Sequence, residues 1–184
     1  MKISLIVLTL NEIEGLRNIF EKVPFDSVDE VLAIDGQSTD GTIEFFQKRN
    51  IPLYIQKIKG RGEAFRLAFE KATGDALIFF SPDGNEDPDD IPKFIPYLSE
   101  GNDLVIATRM VSGAHNEEDN QLFKWRKWAN NVFTLLANIT WNKNVFVTDT
   151  INGFRAITRK SWQELSLNES GYAIEYQSTI RAFK

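Results

Sequence analysis

Apolar runs alternate with amphipathic segments along most of this chain. Short runs rich in Val, Ile, Leu and Phe predict strands at Ile3–Leu10, Glu30–Ile34, Pro52–Lys57, Ala76–Phe80, Asp103–Thr108 and near Val145–Val147. Apolar positions at helical spacing predict helices at Glu12–Lys22, Gly41–Arg49, Gly62–Ala72, Asp89–Leu98, Trp125–Thr140 and Ile174–Lys184. This alternation is typical of a mostly parallel sheet with helices on both faces. We therefore predict a single α/β domain with a Rossmann-like layout.

The strand predicted at Ala76–Phe80 runs directly into the polar sequence SPDGNEDPDD. In open α/β sheets the residues just beyond the carboxyl end of a strand line the ligand crevice, so Asp83 has a position suited to a metal ion or a diphosphate. The alternative is a surface turn, because Pro, Asp, Gly and Asn are also ordinary turn residues. This segment alone leaves both interpretations open.

Polar residues also follow the first two predicted strands. Asn11 and Glu12 follow the first strand, and Asp35 with Gly36 closes the second. The carboxyl ends of parallel strands meet at one edge of a sheet, so these loops and the Asp83 loop are expected to build one site. Their carboxylates, amides and glycine suit a nucleotide ligand.

Composition narrows the classes of function. A length of 184 residues with 42% hydrophobic and 26% charged residues is ordinary for one globular domain. The net charge of −5 gives no overall attraction for nucleic acid, so any attraction for phosphate must be local. The absence of cysteine excludes disulfides and thiolate catalysis and fits a reducing, cytoplasmic location. The apolar run after Lys2 is too short to span a membrane.

Six segments occur in the order and with the spacing of a known family. They read IVLTLNE, VLAIDGQSTDGT, GRGEAFRLAFEKATGD, FFSPDGNEDPDDIP, VIATR and TDTINGFRAI. Together they resemble the family 2 glycosyltransferases of the GT-A fold, and most closely the polyprenyl-phosphate (dolichyl-type) sugar transferases. The resemblance implies a nucleotide-sugar-binding half at about 1–108 and an acceptor half at about 109–184. Such relatives usually continue further, so we expect either a C-terminal truncation or a minimal protein.

The resemblance assigns nucleotide-sugar binding to seven positions, which are Leu10, Asn11, Glu12, Asp35, Arg61, Pro82 and Asp83. Asp35 is the expected base- or ribose-binding acid, and the alternative is a cap for the helix at Gly41–Arg49. Glu12 could instead be a first-turn acid that interacts with the helix dipole. Arg61 lies between two glycines ahead of a helix, where it is expected to meet phosphate oxygens; a solvated surface arginine is the alternative.

The acidic segment departs from the family pattern at one position. The resemblance implies aspartates two residues apart, but Ser81 occupies the first position and leaves Asp83 as the only carboxylate of the pair. We predict Asp83 and Asn85 as metal ligands and Mg²⁺ or Mn²⁺ as the cofactor, because such ions also accept oxygens from diphosphate and water. The acids from Glu86 to Asp90 could compensate, or they could form only the solvated start of a helix.

Acceptor recognition is predicted in the second half. The resemblance places Arg109 and Arg126 near the acceptor and the diphosphate, where a planar guanidinium suits phosphate, and places Asp149 near the transferred sugar or the acceptor. A salt bridge at a strand end and an exposed helix residue are the alternatives for the two arginines. We predict a mobile polar loop at Ser112–Asn120. The apolar residues of the helix at Trp125–Thr140 fit either core packing or an interfacial helix beside a bilayer.

The predicted function is transfer of a sugar from a nucleotide-diphosphate sugar to a polyprenyl phosphate or another small acceptor, with inversion as the resemblance implies. We expect peripheral contact with the cytoplasmic membrane face and no binding of nucleic acid. The competing hypothesis is a non-catalytic nucleotide-sugar-binding module, disabled at Ser81. A nucleotidyltransferase or an NAD-linked dehydrogenase would carry a glycine-rich turn after the first strand, and LTLNEIEG is not one. The predicted catalytic residues are Asp83, Asp149, Arg109 and Arg126.

Overall fold

The computed structural model describes residues 1–108, 125–142 and 146–183, with the side chains of the middle segment described from residue 131. The described strands are β1 (Ile3–Thr9), β2 (Glu30–Asp35), β3 (Leu53–Ile55), β4 (Ala76–Phe80), β5 (Leu104–Ile106) and β6 (Arg155–Thr158). The described helices are α1 (Ile13–Ile19), α2 (Thr42–Lys48), α3 (Arg61–Lys71), α4 (Phe94–Ser99), α5 (Trp125–Trp141), α6 (Arg159–Leu165) and α7 (Ala173–Ala182). Short 3₁₀ helices lie at Phe20–Lys22, Phe25–Ser27 and Pro88–Lys93.

The described strands form one six-stranded sheet in the order β3-β2-β1-β4-β6-β5. β1 is parallel to β2 and β4, and β2 is parallel to β3. β6 is antiparallel to both β4 and β5. The carboxyl ends of β1, β2 and β4 therefore lie at one edge, where open α/β sheets bind ligands. The predicted mostly parallel α/β sheet is confirmed.

Side chains of the sheet alternate between two apolar cores. Leu5 of β1 belongs to the core beneath α1, α2 and α4, whereas the adjacent Ile6 belongs to the core beneath α3. In the second core, Phe65 of α3 stacks on Phe79 of β4 with ring centroids 3.8 Å apart. Helices thus cover both faces, as the apolar strands predict.

The segment after α5 differs from its prediction. The apolar pattern predicts a strand near Val145–Val147, but the described residues of this segment, Phe146 and Val147, form none, and Val145 lies outside the described residues. A helix side chain holds the backbone instead: the Val147 N–H donates to Asn138 Oδ1 at 2.9 Å, and Asn138 Nδ2 donates to the Val147 carbonyl at 2.8 Å. This strand prediction is wrong because an amide on α5 satisfies the backbone groups that a sheet would otherwise pair.

Two elements near the C-terminal end were not predicted. β6 is a short strand that begins with a charged residue, Arg155, and α6 follows it directly.

The helix predicted at Asp89–Leu98 begins as the 3₁₀ helix at Pro88–Lys93 and continues as α4. Other predicted helices and strands are confirmed with ends shifted by a few residues, and the predicted loop at Ser112–Asn120 lies outside the described residues. None of the described helices is both long enough and apolar enough to cross a bilayer.

Candidate functional site

A cavity of about 980 Å³ opens at the carboxyl edge of the sheet. We call it the carboxyl-edge cavity; its walls come from the ends of β1, β2 and β4, the loop before α3 and the residue before α7. Its lining residues include Leu10, Glu12, Arg61, Ser81, Asp83 and Tyr172. The volume is within the range of about 300–1,000 Å³ that is usual for cofactor and small-molecule sites.

α1 packs closely against the loop after β4, and this contact sets the distance between Glu12, just before α1, and Asp83 of the loop. A Cβ atom at Gly15 would lie 1.9 Å from the Pro82 carbonyl oxygen, so glycine allows α1 to pack against this loop. Burial raises the pKa of the Glu12 carboxyl, and the nearby charges of Asp83 and Asp40 raise it further. A bound cation or hydrogen-bond donor would relieve this repulsion between Glu12 and Asp83.

Arg61 reaches the cavity from the first position of α3. Its Nε donates to Glu175 Oε1 at 2.6 Å, and its Nη1 donates to Ser81 Oγ at 3.1 Å. The side chains of Arg61 and Glu175 are only 18% and 8% exposed. Burial opposes the charge of Arg61, but nearby acidic groups, Glu175 foremost, outweigh it and raise the pKa of the guanidinium. A fixed cation therefore lies beside Ser81 at the cavity wall.

The loop after β4 carries two carboxyl groups in different surroundings. Asp83 lines the cavity, and its Oδ1 accepts from the Asn85 N–H at 3.0 Å. Glu86 Oε2 accepts from the Ser81 N–H at 2.6 Å. Burial raises the pKa of Glu86 to about 8, even though the charge of Arg61 opposes this. At neutral pH Glu86 therefore keeps its proton, and Asp83 is the acid that this loop offers to a ligand.

The oxygen donors around Asp83 fit a divalent ion only in part. Among the residues that the structure describes, no group of three or more acidic, histidine or cysteine side chains could hold a metal. Asp83 supplies one carboxylate, Asn85 is a neighbouring amide, and Ser81 supplies a hydroxyl where the resemblance implies a second carboxylate. Mg²⁺ commonly takes its other ligands from phosphates and water. These residues could anchor an ion on a bound diphosphate, but they could not enclose it alone.

Asp35 is buried behind the cavity wall, whereas Asn11 is exposed and lies outside the lining of the cavity. The Asp35 carboxylate is 0% exposed and accepts hydrogen bonds from Thr9 Oγ1, the Ser38 N–H and Ser38 Oγ. Asn11 Oδ1 accepts from the Thr39 N–H. Both side chains hold the turn after β2. Because Asp35 is buried, a direct contact of its carboxylate with a nucleotide would require that turn to open. The alternative role predicted for Asp35, to cap α2, is filled by Asp40. Its Oδ1 accepts from the N–H of Thr42, the first residue of α2.

The sequence profile described as Glycosyl transferase family 2 matches residues 4–165. The chain belongs to glycosyl transferase family 2. This family 2 chain is 28% identical to a dolichol-phosphate mannosyltransferase of Pyrococcus furiosus, over 98% of this chain and 53% of that protein. It is 28% identical to glycosyltransferase AglJ of Haloferax volcanii, over 96% and 56% of the two chains.

A third relative is an undecaprenyl-phosphate 4-deoxy-4-formamido-L-arabinose transferase of Salmonella choleraesuis, 27% identical over 77% of this chain and 45% of that protein. The family 2 chain thus spans about half the length of the curated relatives it matches. Among solved structures, glucosyl-3-phosphoglycerate synthase from Mycobacterium tuberculosis with Mn²⁺, UDP-glucose and phosphoglyceric acid superposes with a TM-score of 0.77 at 24% identity, over 99% of this chain and 65% of that chain. The predicted family and the predicted GT-A fold are confirmed.

The predicted site residues of the family 2 chain fall into three groups. Leu10, Glu12, Arg61 and Asp83 line the carboxyl-edge cavity. The predicted residues that do not line it are Asn11, Asp35, Pro82 and Asn85.

The predicted acceptor residues form the third group. Asp149 is 1% exposed and lines a second cavity of about 640 Å³, near β5, α6 and α7. Arg109 lies outside the described residues, and Arg126 lies on α5 with its side chain outside them. The structure therefore brings four of the predicted nucleotide-sugar-binding residues together at one cavity and places Asp149 at another.

Several lining residues were not predicted from the sequence, among them Gln56, Lys59 and Tyr172. Gln56 Nε2 donates to the Gly60 carbonyl at 2.9 Å and so shapes the loop before α3. Lys59 precedes Gly60 and Arg61, so the basic, glycine-containing run KGRG was an available signal. Tyr172 gave no such signal, because it reaches the cavity from a distant segment.

Proposed function

We propose that this family 2 chain is a glycosyltransferase that moves a sugar from a nucleoside-diphosphate sugar to a polyprenyl phosphate. The observation that carries the proposal is the convergence of Leu10, Glu12, Arg61 and Asp83 on one cavity of about 980 Å³. The acceptor is supported by relatives named dolichol-phosphate mannosyltransferase and undecaprenyl-phosphate 4-deoxy-4-formamido-L-arabinose transferase.

The proposed reaction is a direct displacement at the anomeric carbon. An oxygen of the acceptor phosphate bonds to this carbon from one face while the bond to the diphosphate oxygen breaks on the other, which inverts the configuration. The bonding electrons leave with the nucleoside diphosphate, so negative charge grows there in the transition state. Arg61 would stabilise that charge more in the transition state than in the ground state, and its position in the lining of the cavity supports this role. A phosphate acceptor is already ionised, so no general base has to remove a proton.

A divalent ion, Mg²⁺ or Mn²⁺, is part of the proposal. Asp83 would hold it, with Asn85 beside it and diphosphate oxygens as further ligands. When bound, the ion would neutralise charge on the diphosphate. The synthase of the same fold was solved with Mn²⁺ and UDP-glucose, which supports use of a divalent ion.

Arg109, Arg126 and Asp149 stay the predicted residues of the acceptor side. Asp149 is 1% exposed, which supports a role in orienting its neighbours rather than in removing a proton from an acceptor. For the two arginines, the proposed role rests on the affinity of a planar guanidinium for phosphate.

Peripheral contact of α5 with a membrane is also proposed. On its buried side α5 carries the polar residues Thr134 and Asn138, whereas Phe133, Leu136 and Ile139 are 55%, 52% and 73% exposed. A helix that covers a core buries its apolar side instead. An exposed apolar side fits the interface of a bilayer, where a polyprenyl phosphate resides. The absence of cysteine supports the cytoplasmic side of that membrane.

Donor binding tests the proposal. In a thermal-shift panel of UDP-, GDP- and dTDP-sugars, with and without Mn²⁺, we expect one base to raise Tm selectively, because a ligand of the folded state stabilises it. Asp83→Asn preserves the shape of the side chain but removes its charge, and we expect it to weaken the Mn²⁺-dependent part of binding by about tenfold. Asp26→Asn, at an exposed position outside the cavity and the acidic segment, is the matched control. If no donor class shifted Tm, the proposal would fail.

The second candidate is a nucleotide-sugar-binding module without catalysis. It is favoured by Ser81, which supplies a hydroxyl in place of a metal-binding carboxylate. Assays of sugar transfer with the wild-type chain and with Ser81→Asp separate the two candidates. Transfer by the wild-type chain excludes the module, whereas transfer by Ser81→Asp alone would favour it over the enzyme.

A further inference from the structure

The start of α3 is fixed against the loop that precedes α7. Gly60 has a φ of 146°, a conformation that favours glycine. Cβ atoms at Gly60 and Gly62 would lie 2.3 and 2.0 Å from the carbonyl oxygens of Ser170 and Glu169. The glycines on both sides of Arg61 therefore allow a close backbone contact, and this contact sets the point from which the Arg61 side chain extends.

Glu175 of α7 is also held in place. Its main-chain carbonyl accepts from Arg155 Nη1 at 2.7 Å, and its Oε1 accepts from Arg61 Nε at 2.6 Å. A Cβ atom at Gly153 would lie 2.0 Å from Arg61 Nη2 and 2.8 Å from Glu175 Oε1. Glycine at this position leaves the space that the ion pair occupies. The second half of the chain thus determines where the Arg61 guanidinium lies.

The guanidinium of Arg61 can donate more hydrogen bonds than the described part of the chain accepts from it. A guanidinium carries five N–H groups in a planar fork that matches phosphate oxygens. In the described part of the chain, Glu175 accepts from Nε and Ser81 Oγ accepts from Nη1, which leaves three N–H groups for other partners. Arg61 lines the carboxyl-edge cavity with 18% of its side chain exposed.

The hydroxyl of Ser81 leaves this cation available. A carboxylate at the same position would add a second negative charge beside Arg61 and compete with an anionic ligand for its N–H groups. The neutral hydroxyl accepts one hydrogen bond and adds no charge. The substitution that weakens the metal site therefore also strengthens the attraction of Arg61 for phosphate.

We propose that Arg61 is a resident cation that binds the diphosphate of the donor directly, so that nucleoside diphosphates bind this chain without a divalent ion. Glu175 is a positioning residue that acts through Arg61. The inference rests on the proposed donor binding and extends it, because it assigns to a side chain part of the charge that a metal would otherwise supply.

Isothermal titration with UDP, GDP and dTDP, and with the matching nucleosides, tests the inference in excess EDTA and in excess Mn²⁺. We expect the wild-type chain to bind one nucleoside diphosphate in EDTA. Arg61→Gln should weaken that binding by about tenfold, or about 1.4 kcal/mol, and leave the affinity for the nucleoside unchanged. Arg61→Lys should give an intermediate loss, because an ammonium keeps the charge without the planar fork.

Further variants separate direct phosphate contact from a structural effect. Lys71→Gln is the matched control, because Lys71 lies at the far end of the same helix, pairs with Glu70 and does not line the cavity. It should leave both affinities unchanged. Ser81→Asp should lower the affinity in EDTA and increase the gain from Mn²⁺. Glu175→Gln should lower the diphosphate affinity less than Arg61→Gln does, again without changing the nucleoside affinity.

The outcomes distinguish failure of the inference from failure of the proposed function. Binding of the wild-type chain only in Mn²⁺ would overturn the inference and leave the donor proposal standing. Equal losses of nucleoside and nucleoside-diphosphate affinity in Arg61→Gln would indicate a structural role and would also overturn it. If none of the three nucleoside diphosphates bound in either condition, both the donor proposal and the inference would fall.

Discussion

Asp83 and Glu86 lie three positions apart on the loop after β4 but meet different surroundings. Asp83 lines the carboxyl-edge cavity, whereas the Glu86 carboxyl accepts the Ser81 N–H beside Arg61. Burial disfavours a charged carboxylate more than a neutral carboxyl group, so Glu86 keeps its proton at neutral pH. The loop can therefore hold its backbone with one acid and offer the other to a ligand.

Glu86 should make the stability of the fold depend on pH. Its pKa of about 8 in the folded chain lies above the ordinary value of 4.5, so the folded state binds more protons than the unfolded state between these values. The Glu86 contribution to the free energy of unfolding should therefore be largest below about pH 5 and fall as pH rises to about 8, by at most about 1.4 kcal/mol per pH unit. Urea unfolding of the wild-type chain and Glu86→Gln in metal-free buffer measures this. Glu86→Gln should lose that decline, and equal pH profiles would contradict the assignment.

At the scale of elements, the position of α1 depends on Gly15. In Gly15→Ala the new Cβ would lie 1.9 Å from the Pro82 carbonyl oxygen, so α1 or the loop must move. We expect the free energy of unfolding to fall by about 1–3 kcal/mol, and nucleotide affinity to fall with it because Asp83 follows Pro82. Chemical denaturation and titration measure the two effects. Gly171→Ala, where a Cβ meets open space, should change neither, and equal behaviour of the two variants would contradict the contact.

The exposed apolar side of α5 predicts a membrane contact. Leu136→Glu should reduce sedimentation with phospholipid vesicles by about tenfold or more, because it removes apolar burial of about 1.5–3 kcal/mol and adds a charge. It should leave Tm unchanged, because Leu136 is 52% exposed. Asn131→Glu adds the same charge at an exposed polar position of the helix and is the control. Equal vesicle binding by both variants would argue against this surface.

At the scale of the whole molecule, the carboxyl-edge cavity is assembled from both halves of the chain. Tyr172 lines it from the residue before α7 and is 76% exposed. We expect Tyr172→Ala to weaken nucleotide binding by about threefold to tenfold, since an aromatic ring contributes contact area to the ligand. Tm should stay unchanged because the side chain is exposed. Tyr97→Ala, 55% exposed beside the second cavity, is the matched control, and titration of both variants checks the result.

Local patterns predicted much of the fold and failed where distant contacts dominate. β4 is an uninterrupted apolar strand that is fully buried, and its predicted ends agree with the structure. β6 was missed because it begins with Arg155, whose side chain is 0% exposed. Carbonyl and hydroxyl oxygens, including those of Glu175 and Ser178 on α7, accept hydrogen bonds from this guanidinium. A charged residue inside a strand becomes recognisable only when its partners are known.

The amino-acid sequence was sufficient to predict the family, the alternation of strands and helices, and the presence of Glu12, Arg61 and Asp83 near one site. The alternation follows from apolar periodicity and turn residues, which act over a few positions of the chain. The family and the site residues follow from the resemblance of six ordered motifs to family 2 glycosyltransferases. Two features depend on long-range packing and could not be predicted: Asp35 is buried, and Glu175, 114 residues from Arg61, binds its guanidinium. The physical reason is that the partners of a buried polar group depend on which distant segments pack together, and no local pattern records that choice.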